Sequence, residues 1–382
     1  CTVTNTGDSK SRQMIRKAIR KNPQATVCVV GCYSQVAPQD IEAIEGVSII
    51  LGTQFRNEIV DLVEKYQQTH ERIVKVSEVK QLRKFEDLNI DRFLHTRAYL
   101  KIQDGCNNFC SYCKIPFARG RSRSRKKENI LKEIEKLVNE GFKEIILIGI
   151  NLGAYGEDLE EDIDFEDLLE EILQVKGLER VRIGSVYPDK ISDRFVDMFK
   201  YKNLMPHLHI SLQSCDDTVL KMMKRKYGSD LIEERLLKLK NSVGNMEYTA
   251  DIIVGFPGES EEMFQNSYNL IEKIGFSGLH IFQYSDRENT VASRLENKID
   301  SKVKKERADR LEELKKEMAI IERENYIEKS LKILIEEEID GYLYGYSENY
   351  LRVKVKGDKK MINEIIEVKI TSLEKELLVA DE

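Results

Sequence analysis

Three closely spaced cysteines are the residues of this chain whose chemistry is easiest to interpret. Cys106, Cys110 and Cys113 lie within the segment Gly105-Cys-Asn-Asn-Phe-Cys-Ser-Tyr-Cys113. A structural zinc site closes four protein ligands around its metal, whereas three thiolates can hold a four-iron cluster with one iron left open. No histidine lies within ten residues on either side to complete a zinc site. The spacing therefore favours an iron-sulfur cluster with an open iron, and a zinc-binding loop is the alternative.

A basic segment follows the cysteines directly. Residues 114–127 contain seven basic side chains and no acidic one, although the whole chain has 61 Lys and Arg against 67 Asp and Glu and a net charge of -6. Nucleic-acid binding by such a chain must come from local basic patches. Because the arginine fork suits phosphate, Arg119, Arg121, Arg123 and Arg125 are predicted to contact a nucleic-acid backbone. A solvated basic loop is the alternative.

Composition narrows the class of protein. The 382 residues, 41% of them hydrophobic, are enough for two or three domains with buried cores. No apolar run approaches the roughly 20 residues that span a bilayer, and the start of the chain does not look like a signal peptide. Seven cysteines are too few for a disulfide scaffold of this length, and their clustering favours metal ligation in a reducing compartment. A cytoplasmic location without membrane contact is therefore expected.

The elements that must position these residues follow an alternating pattern. Helices and apolar strands (Ala25–Val30, Val47–Leu51) predict a small parallel α/β domain over residues 1–75, followed by a polar linker at 76–95. Six strands alternate with amphipathic helices over residues 96–300: 99–103, 144–150, 180–185, 207–212, 248–254 and 279–284. A closed barrel of this kind needs eight strands, so the pattern predicts an open, partial (β/α)6 barrel.

The carboxyl ends of these strands are polar or rich in glycine. In such barrels the loops at these ends share one rim, where ligands bind. The residues expected there are Asn151, Gly184-Ser185, Gln213-Ser214 and the segment 255–259. Their convergence with the cysteine loop predicts a ligand-binding rim.

The spacing of apolar residues changes in the last part of the chain from that of a helix to that of β-strands. A charged segment without Gly or Pro predicts a connecting helix at residues 301–326. Leu351, Val353 and Val355 then alternate with basic residues, which predicts a small antiparallel β-barrel at 327–382. Tyrosines interleaved with basic residues (Tyr342, Tyr344, Tyr346, Tyr350) are typical of barrels that stack RNA bases, and packing on a solvated strand face is the alternative.

The segment from Thr96 to Arg125 resembles the radical SAM methylthiotransferases, and Gly120-Arg-Ser-Arg-Ser-Arg125 resembles their tRNA threonylcarbamoyladenosine branch. The segments 182–185, 211–214, 223–227 and 251–259 resemble the blocks that line the S-adenosylmethionine pocket of that family. The resemblance implies a 4Fe-4S cluster on the three cysteines, with no catalytic side chain assigned beyond these ligands. It implies S-adenosylmethionine bound by Tyr112, Asn151, Ser185, Gln213 and Arg225.

The end of the chain resembles the TRAM domain of RNA-modifying enzymes. This resemblance implies that Tyr350 and Lys354 bind RNA together with the four arginines. The implied partners are tRNA and an electron-donor protein such as a flavodoxin, without DNA.

The resemblance also implies a second cluster on the N-terminal domain, held by three cysteines. Cys1 and Cys32 match two of these ligands, and the third would lie upstream, so the chain is expected to be a fragment that lacks the first strand and holds this cluster incompletely. Cys28 matches no ligand and is interpreted as a core residue. For isolated cysteines, a role as small hydrophobic side chains is the alternative.

The activity implied by the resemblance is conversion of N6-threonylcarbamoyladenosine at tRNA position 37 to its 2-methylthio derivative. Sister enzymes that act on isopentenyladenosine in tRNA or on a ribosomal-protein aspartate are the nearest alternatives, and a non-catalytic, metal-binding RNA-binding protein is the alternative from another class. The chain departs from the family in two places. Cys215 stands where the family usually has Gly, and residues 283–290 lack the family's turn-forming Pro and Gly.

Overall fold

Two compact units make up the computed structural model, which describes residues 2–87 and 96–381. The first unit collects the segments Cys1–Asn89, Asp104–Arg123 and Ser285–Leu295, and the second collects Ile90–Gln103, Ser124–Tyr284 and Glu296–Glu382. The cysteine loop therefore belongs to the same unit as the N-terminal segment. The predicted linker at 76–95 lies partly outside the described residues, so its boundaries stay a prediction.

The first unit contains a three-stranded parallel sheet. Its elements are α1 (Asn5–Lys21), β1 (Cys28–Val30), α2 (Cys32–Val36), α3 (Pro38–Glu42), β2 (Ile49–Leu51), α4 (Ile59–Thr69), β3 (Ile73–Lys75) and α5 (Ile115–Arg119). The strand order is β1-β2-β3, with parallel pairing throughout. The central strand β2 is completely buried, as its continuous apolar sequence requires.

The second unit contains the predicted six-stranded arrangement. The strands in chain order are β4 (Ala98–Lys101), β5 (Gln103–Asp104), β6 (Arg123–Ser124), β7 (Glu144–Ile148), β8 (Arg180–Ile183), β9 (Ser185–Val186), β10 (His207–Gln213), β11 (Glu247–Val254) and β12 (Gly278–Gln283). The short strands β5 and β6 lie at the two ends of the cysteine segment. Seven of the strands form two parallel sheets, β4-β7-β8 and β12-β11-β10-β9, and β5 pairs with β6 in a separate two-stranded sheet. β8 and β9 are the two halves of the predicted third strand, and each half pairs in a different sheet. The partial-barrel fold is thereby confirmed.

Helices cover the outer faces of these strands: α6 (Lys127–Asn139), α7 (Phe165–Leu173), α8 (Asp193–Asp197), α9 (Asp217–Met222), α10 (Ser229–Ser242) and α11 (Glu261–Ile274). Leu208 and Ile210 of β10 and Ala250 and Ile252 of β11 are buried in the core shared with the helices. Because side chains alternate along a strand, the residues between them, such as Asp251, face the opposite, inner side of the sheet. That side is polar and half-buried.

The long helix α12 (Ser301–Glu324) packs on the barrel, since Leu311, Leu314 and Met318 are buried in the same core. It leads to a closed barrel of β13 (Ser330–Ile339), β14 (Tyr342–Ser347), β15 (Arg352–Lys356), β16 (Ile365–Glu374) and β17 (Leu377–Asp381). Four of its strand pairs are antiparallel, and the pair β15-β17 is parallel. The predicted alternation is present, because Val353 and Val355 are buried whereas Arg352 is exposed.

Buried ion pairs join the amino ends of the barrel strands to this C-terminal barrel, within the second unit. Glu144 is fully buried and accepts from Arg182 Nε at 2.9 Å, with Arg180 and Arg97 at 3.6 and 4.0 Å. Arg180 also donates to the carbonyl of Lys332 at 2.9 Å, and Arg182 to that of Glu348 at 3.1 Å.

Within the described residues, no helix combines the length and the apolar composition that a membrane span requires.

Candidate cluster sites and cofactor-binding residues

The cysteine loop begins at a glycine that no other residue could replace without rearrangement. Gly105 has φ +74, and a Cβ built on it would lie 1.9 Å from the carbonyl oxygen of Arg121. This contact is a steric clash, so the chain needs glycine to bring the loop against the arginine segment. The buried Cys106 follows, and its N–H donates to the carbonyl of Gly120 at 3.0 Å. Cys106 is thereby fixed at the base of the loop.

Backbone amides of the loop point at two of the thiols. The N–H of Asn108 donates to Cys106 Sγ at 3.4 Å, and the N–H of Ile115 donates to Cys113 Sγ at 3.4 Å. Hydrogen bonds to the sulfurs stabilise cysteine thiolates and are among the features that set the potential of iron-sulfur clusters. The N–H of Cys113 also donates to the carbonyl of Cys110 at 3.0 Å, so these two cysteines belong to one turn. This donor set fits a cubane cluster.

The loop is anchored within the first unit by a segment distant in sequence. Ser111 accepts from the N–H of Ala292 at 2.8 Å, and Lys114 Nζ donates to the carbonyl of Glu288 at 2.7 Å. Residues 283–290, which depart from the family pattern, thus support the cysteine loop in part. These contacts could not be predicted from the sequence.

The four arginines after the loop have different environments. Arg121 is exposed, and its guanidinium lies 4.8 Å from the centre of the Phe109 ring. Arg123 is 5% exposed and donates to the carbonyls of Arg119 at 2.6 Å and Arg121 at 3.0 Å. Arg125, equally buried, pairs with Glu133 in the second unit. The structure therefore assigns Arg123 and Arg125 internal partners, contrary to the expectation that all four meet phosphate.

Arg119 connects the cysteine loop to Cys32. It is the last residue of α5, and its Nε donates to Cys32 Sγ at 3.1 Å. Its other partner is Asp104, at 3.4 Å. Burial opposes the charge of Arg119, but attraction to Asp104 and Cys32 outweighs it and raises the pKa of the guanidinium. The candidate second site thus lies within hydrogen-bond reach of the helix that follows the first.

Cys32 itself begins α2, after Gly31 at φ +125. Cys1 lies outside the described residues. Its neighbour Thr2 is buried and accepts from Arg287 at 3.0 Å, and Arg287 also pairs with Asp8 at 2.7 Å. Arg287 therefore holds the start of the described chain, a role that sequence reasoning missed.

The other two cysteines lie apart from these sites. Cys28 is half-buried in β1, where burial raises the pKa of its thiol. Cys215 is fully buried, and burial raises the pKa of its thiol to about 12. Both are therefore protonated near neutral pH and poorly suited to bind metal.

The residues predicted to bind S-adenosylmethionine in the second unit lie at the carboxyl ends of strands. Asn151 is buried after β7, and its N–H donates to Gln103 Oε1 at 2.9 Å. Ser185 begins β9, and Gln213 ends β10 at φ +68, where the strand register shifts. Arg225 reaches back to the carbonyl of Ser211 at 2.6 Å. Tyr112 lies in the cysteine loop of the first unit and is half-buried.

The loop after β11, which was predicted to line the rim, is held by contacts of Glu259. Glu259 accepts from the N–H of Gly255 at 2.6 Å and from Arg307 of α12 at 2.7 Å. Burial raises the pKa of Glu259, and these two donors oppose the shift. α12 thus fixes one of the predicted rim loops.

The residues predicted to bind RNA in the C-terminal barrel also contact other side chains of the second unit. Tyr350 is stacked on Tyr346, with ring centres 4.6 Å apart, and lies 4.7 Å from His207. The guanidinium groups of Arg97 and Arg182 approach the same ring at 5.3 and 4.8 Å. Lys354 lies 3.2 Å from Glu374 and 4.4 Å from the Tyr342 ring. Tyr350 thus packs inside the second unit, whereas Lys354 and Tyr342 lie nearer the surface.

Comparison with known proteins agrees with these features. Residues 100–271 match the model of the radical SAM superfamily, and residues 1–52 match that of the uncharacterized protein family UPF0004. The threonylcarbamoyladenosine tRNA methylthiotransferase of Bacillus subtilis is 45% identical over 97% of this chain and 84% of its own length. Its counterpart from Thermotoga maritima is 36% identical over 100% and 86%. The tRNA-2-methylthio-N(6)-dimethylallyladenosine synthase of Clostridium perfringens is 36% identical over 97% and 85%.

Proposed function

The chain belongs to the radical SAM tRNA methylthiotransferases, and from this premise we propose that it converts N6-threonylcarbamoyladenosine at tRNA position 37 to its 2-methylthio derivative. The relative at 45% identity is named for this substrate, whereas the synthase for the dimethylallyl nucleoside is 36% identical. The observation that carries the proposal is the pairing of two cysteine sites in one compact unit, because a methylthiotransferase must both generate a radical and deliver sulfur.

The family implies S-adenosylmethionine and a 4Fe-4S cluster, and the cysteine loop fits the cluster. When bound, these groups supply the radical chemistry that an unactivated aromatic C–H bond requires. The chain's own contribution is positioning. Cys106, Cys110 and Cys113 provide the three thiolates, and the amides of Asn108 and Ile115 stabilise their negative charge. A zinc-binding loop does not account for the membership in this family.

Four residues of the second unit are proposed to hold S-adenosylmethionine. Asn151 offers a side-chain amide, and Ser185 and Gln213 offer polar groups at strand ends. The Arg225 fork is oriented by Ser211 and Tyr227, which suits a carboxylate. Tyr112 of the cysteine loop is proposed to bind S-adenosylmethionine as well, because the family resemblance implies that role.

A second cluster is proposed on Cys32 and Cys1. The support is the hydrogen bond from Arg119 to Cys32 Sγ, since a cationic donor stabilises a thiolate ligand. Arg287 fixes the segment that follows Cys1. Arg119 is thereby proposed to act on Cys32 rather than on RNA.

The tRNA is proposed to meet Arg121, whose exposed guanidinium suits phosphate, and Lys354 of the C-terminal barrel. An electron-donor protein such as a flavodoxin would deliver the electron that radical generation needs. A cytoplasmic location follows from these proposed partners.

Nucleoside analysis of tRNA tests the substrate. The gene is expressed in cells that make both threonylcarbamoyladenosine and isopentenyladenosine but lack methylthiotransferases. We expect the 2-methylthio form of the first nucleoside alone. The 2-methylthio form of isopentenyladenosine, or neither product, would contradict the proposal.

A further inference from the structure

Two histidines and an aspartate converge on the inner face of the second unit. His209 lies in β10, Asp251 in β11 and His280 in β12, three neighbouring strands of one parallel sheet. None of them belongs to the cysteine sites or to the residues proposed for S-adenosylmethionine. None of the three belongs to the apolar core, so the core does not require a polar cluster here.

The strand register fixes the positions of the three residues. Asp251 is directly paired with His280, and His209 is paired with Thr249, two residues before Asp251 on the same face. The cluster is therefore set by backbone pairing of regular strands rather than by loops. Sites built on such elements hold their side chains more precisely than loop sites.

The distances match those of a metal site. His209 Nε2 and His280 Nδ1 lie 3.2 and 3.3 Å from the same oxygen, Asp251 Oδ1, and the three ligand atoms lie within 4.8 Å of one another. Imidazole nitrogens and carboxylate oxygens bind Zn²⁺ at about 2.0–2.2 Å, which at usual coordination angles separates two ligand atoms by about 3.0–3.5 Å. The two imidazole–carboxylate distances are in this range, and ligand atoms as much as 4.8 Å apart must approach each other by about 1 Å to bind one cation.

Hydrogen bonds behind the cluster orient His209. Its Nδ1 lies 2.9 Å from Thr249 Oγ1, and His207 Nε2 lies 3.2 Å from the same hydroxyl. When Nδ1–H of His209 donates to Thr249, the lone pair of the ring lies on Nε2, the nitrogen that faces Asp251. Metal-bound histidines typically donate their other N–H to such an oxygen.

One side of the cluster is open to solvent. The side chain of His280 is 62% exposed, which leaves a path from solvent and room for water or an anionic oxygen as further ligands.

We propose that His209, Asp251 and His280 bind a divalent first-row transition cation. Two imidazoles and one carboxylate with open positions are the ligand set typical of Fe²⁺, and Zn²⁺ and Mn²⁺ accept the same set. The three protein ligands leave exchangeable positions, so the site is of the open type rather than the closed structural type.

Mn²⁺ is the test probe because it has little affinity for thiolates and does not compete for the cysteine sites. The cluster-loaded protein is titrated with Mn²⁺, and the six-line electron paramagnetic resonance signal of the free ion is followed. We expect one Mn²⁺ bound per chain, with nitrogen modulation from imidazole in the pulsed spectrum. His280→Gln and Asp251→Asn should bind at least tenfold more weakly.

His70→Asn is the matched control, since it removes a histidine from the end of α4 and leaves the cluster intact. Its Mn²⁺ binding should equal that of the parent. Circular dichroism of each variant checks the fold. Absence of Mn²⁺ binding by the parent, binding without imidazole nitrogen modulation, or equal binding by His280→Gln would overturn the proposal and leave a hydrogen-bonded His-Asp-His relay.

Discussion

At the scale of single residues, three arginines of one short segment have three different roles. Arg119 contacts Cys32, Arg121 is exposed, and Arg123 is buried against backbone carbonyls and Asp104. Their shared charge and alternating spacing could not distinguish these roles, because burial depends on Gly105 and on segments distant in sequence. A run of basic residues thus indicates a phosphate-binding surface only where the structure shows that the side chains are exposed.

Replacing Arg121 and Arg123 separately tests this distinction. Arg121→Gln should weaken tRNA binding and reduce the slope of log affinity against log salt by about one, with unchanged stability. Arg123→Gln should instead lower the free energy of unfolding by about 2–4 kcal/mol, because it leaves Asp104 short of a buried partner. Filter binding at several salt concentrations and urea unfolding measure the two effects. Equal salt slopes for parent and Arg121→Gln would remove Arg121 from the RNA surface.

The cysteines of the loop should act as one unit. Cys110→Ala should abolish reductive cleavage of S-adenosylmethionine, because a cubane that loses one of three protein ligands no longer presents its open iron. Formation of 5′-deoxyadenosine under anaerobic conditions measures the reaction. Cys28→Ala, in β1, is the control and should cleave at the parent rate. Cleavage by Cys110→Ala at that rate would show that Cys110 is not a ligand.

At the scale of elements, the sequence predicted the six barrel strands to within two residues at most ends, because each combines an apolar core-facing set with β-branched residues. It missed β3, in which only Ile73 and Val74 are apolar before the charged Lys75. α1 begins in a polar segment capped by Thr4, where apolar periodicity does not mark the start of the helix. Contacts from α12 to Glu259 and from residues 288 and 292 to the cysteine loop depend on tertiary structure and could not be predicted.

Glu247, the first residue of β11, makes the stability of the second unit depend on pH. Glu247 is 2% exposed, and burial raises its pKa from 4.5 to about 7, with Tyr326 donating to Oε1 at 2.9 Å. The folded state holds this proton after the unfolded chain has released it, so stability falls as pH rises from 4.5 to about 7. The loss can reach about 3 kcal/mol.

Glu247→Gln should remove this loss. Thermal unfolding should give equal melting temperatures for parent and variant near pH 4.5, and a higher one for the variant at pH 8. Parallel pH profiles for the two proteins would mean that Glu247 is ionised in the folded state.

At the scale of the whole molecule, segments that are distant in sequence belong to the same compact unit. The cysteine loop and residues 285–295 join the N-terminal unit, whereas the C-terminal barrel joins the second unit. The second of these associations depends on Glu144 and three arginines. The partners of Arg180 and Arg182 on the C-terminal barrel could not be read from the sequence, because backbone carbonyls of β13 and of the turn after β14 carry no sequence signature. Arg97 pairs with Glu336 of β13, and nothing in the sequence singles out this glutamate among its acidic neighbours.

Glu144→Gln tests this association. It removes the single carboxylate that the three buried guanidinium groups of Arg97, Arg180 and Arg182 share, and an uncompensated buried charge costs about 3–5 kcal/mol. The variant should unfold at lower urea concentration, and hydrogen exchange should rise on both sides of the contact. Glu364→Gln, which removes an exposed pair with Lys143, is the control and should change stability by less than about 1 kcal/mol. A similar small effect for Glu144→Gln would show that apolar packing alone holds the barrel.

The most direct test of the proposed function is product analysis with two matched tRNAs. One carries threonylcarbamoyladenosine and the other isopentenyladenosine at position 37, and each is incubated anaerobically with the cluster-loaded enzyme, S-adenosylmethionine and a reductant. We expect mass spectrometry of the nucleosides to show hydrogen replaced by a methylthio group in the first tRNA and no change in the second. A methylthio group on the second tRNA instead of the first would contradict the proposed function.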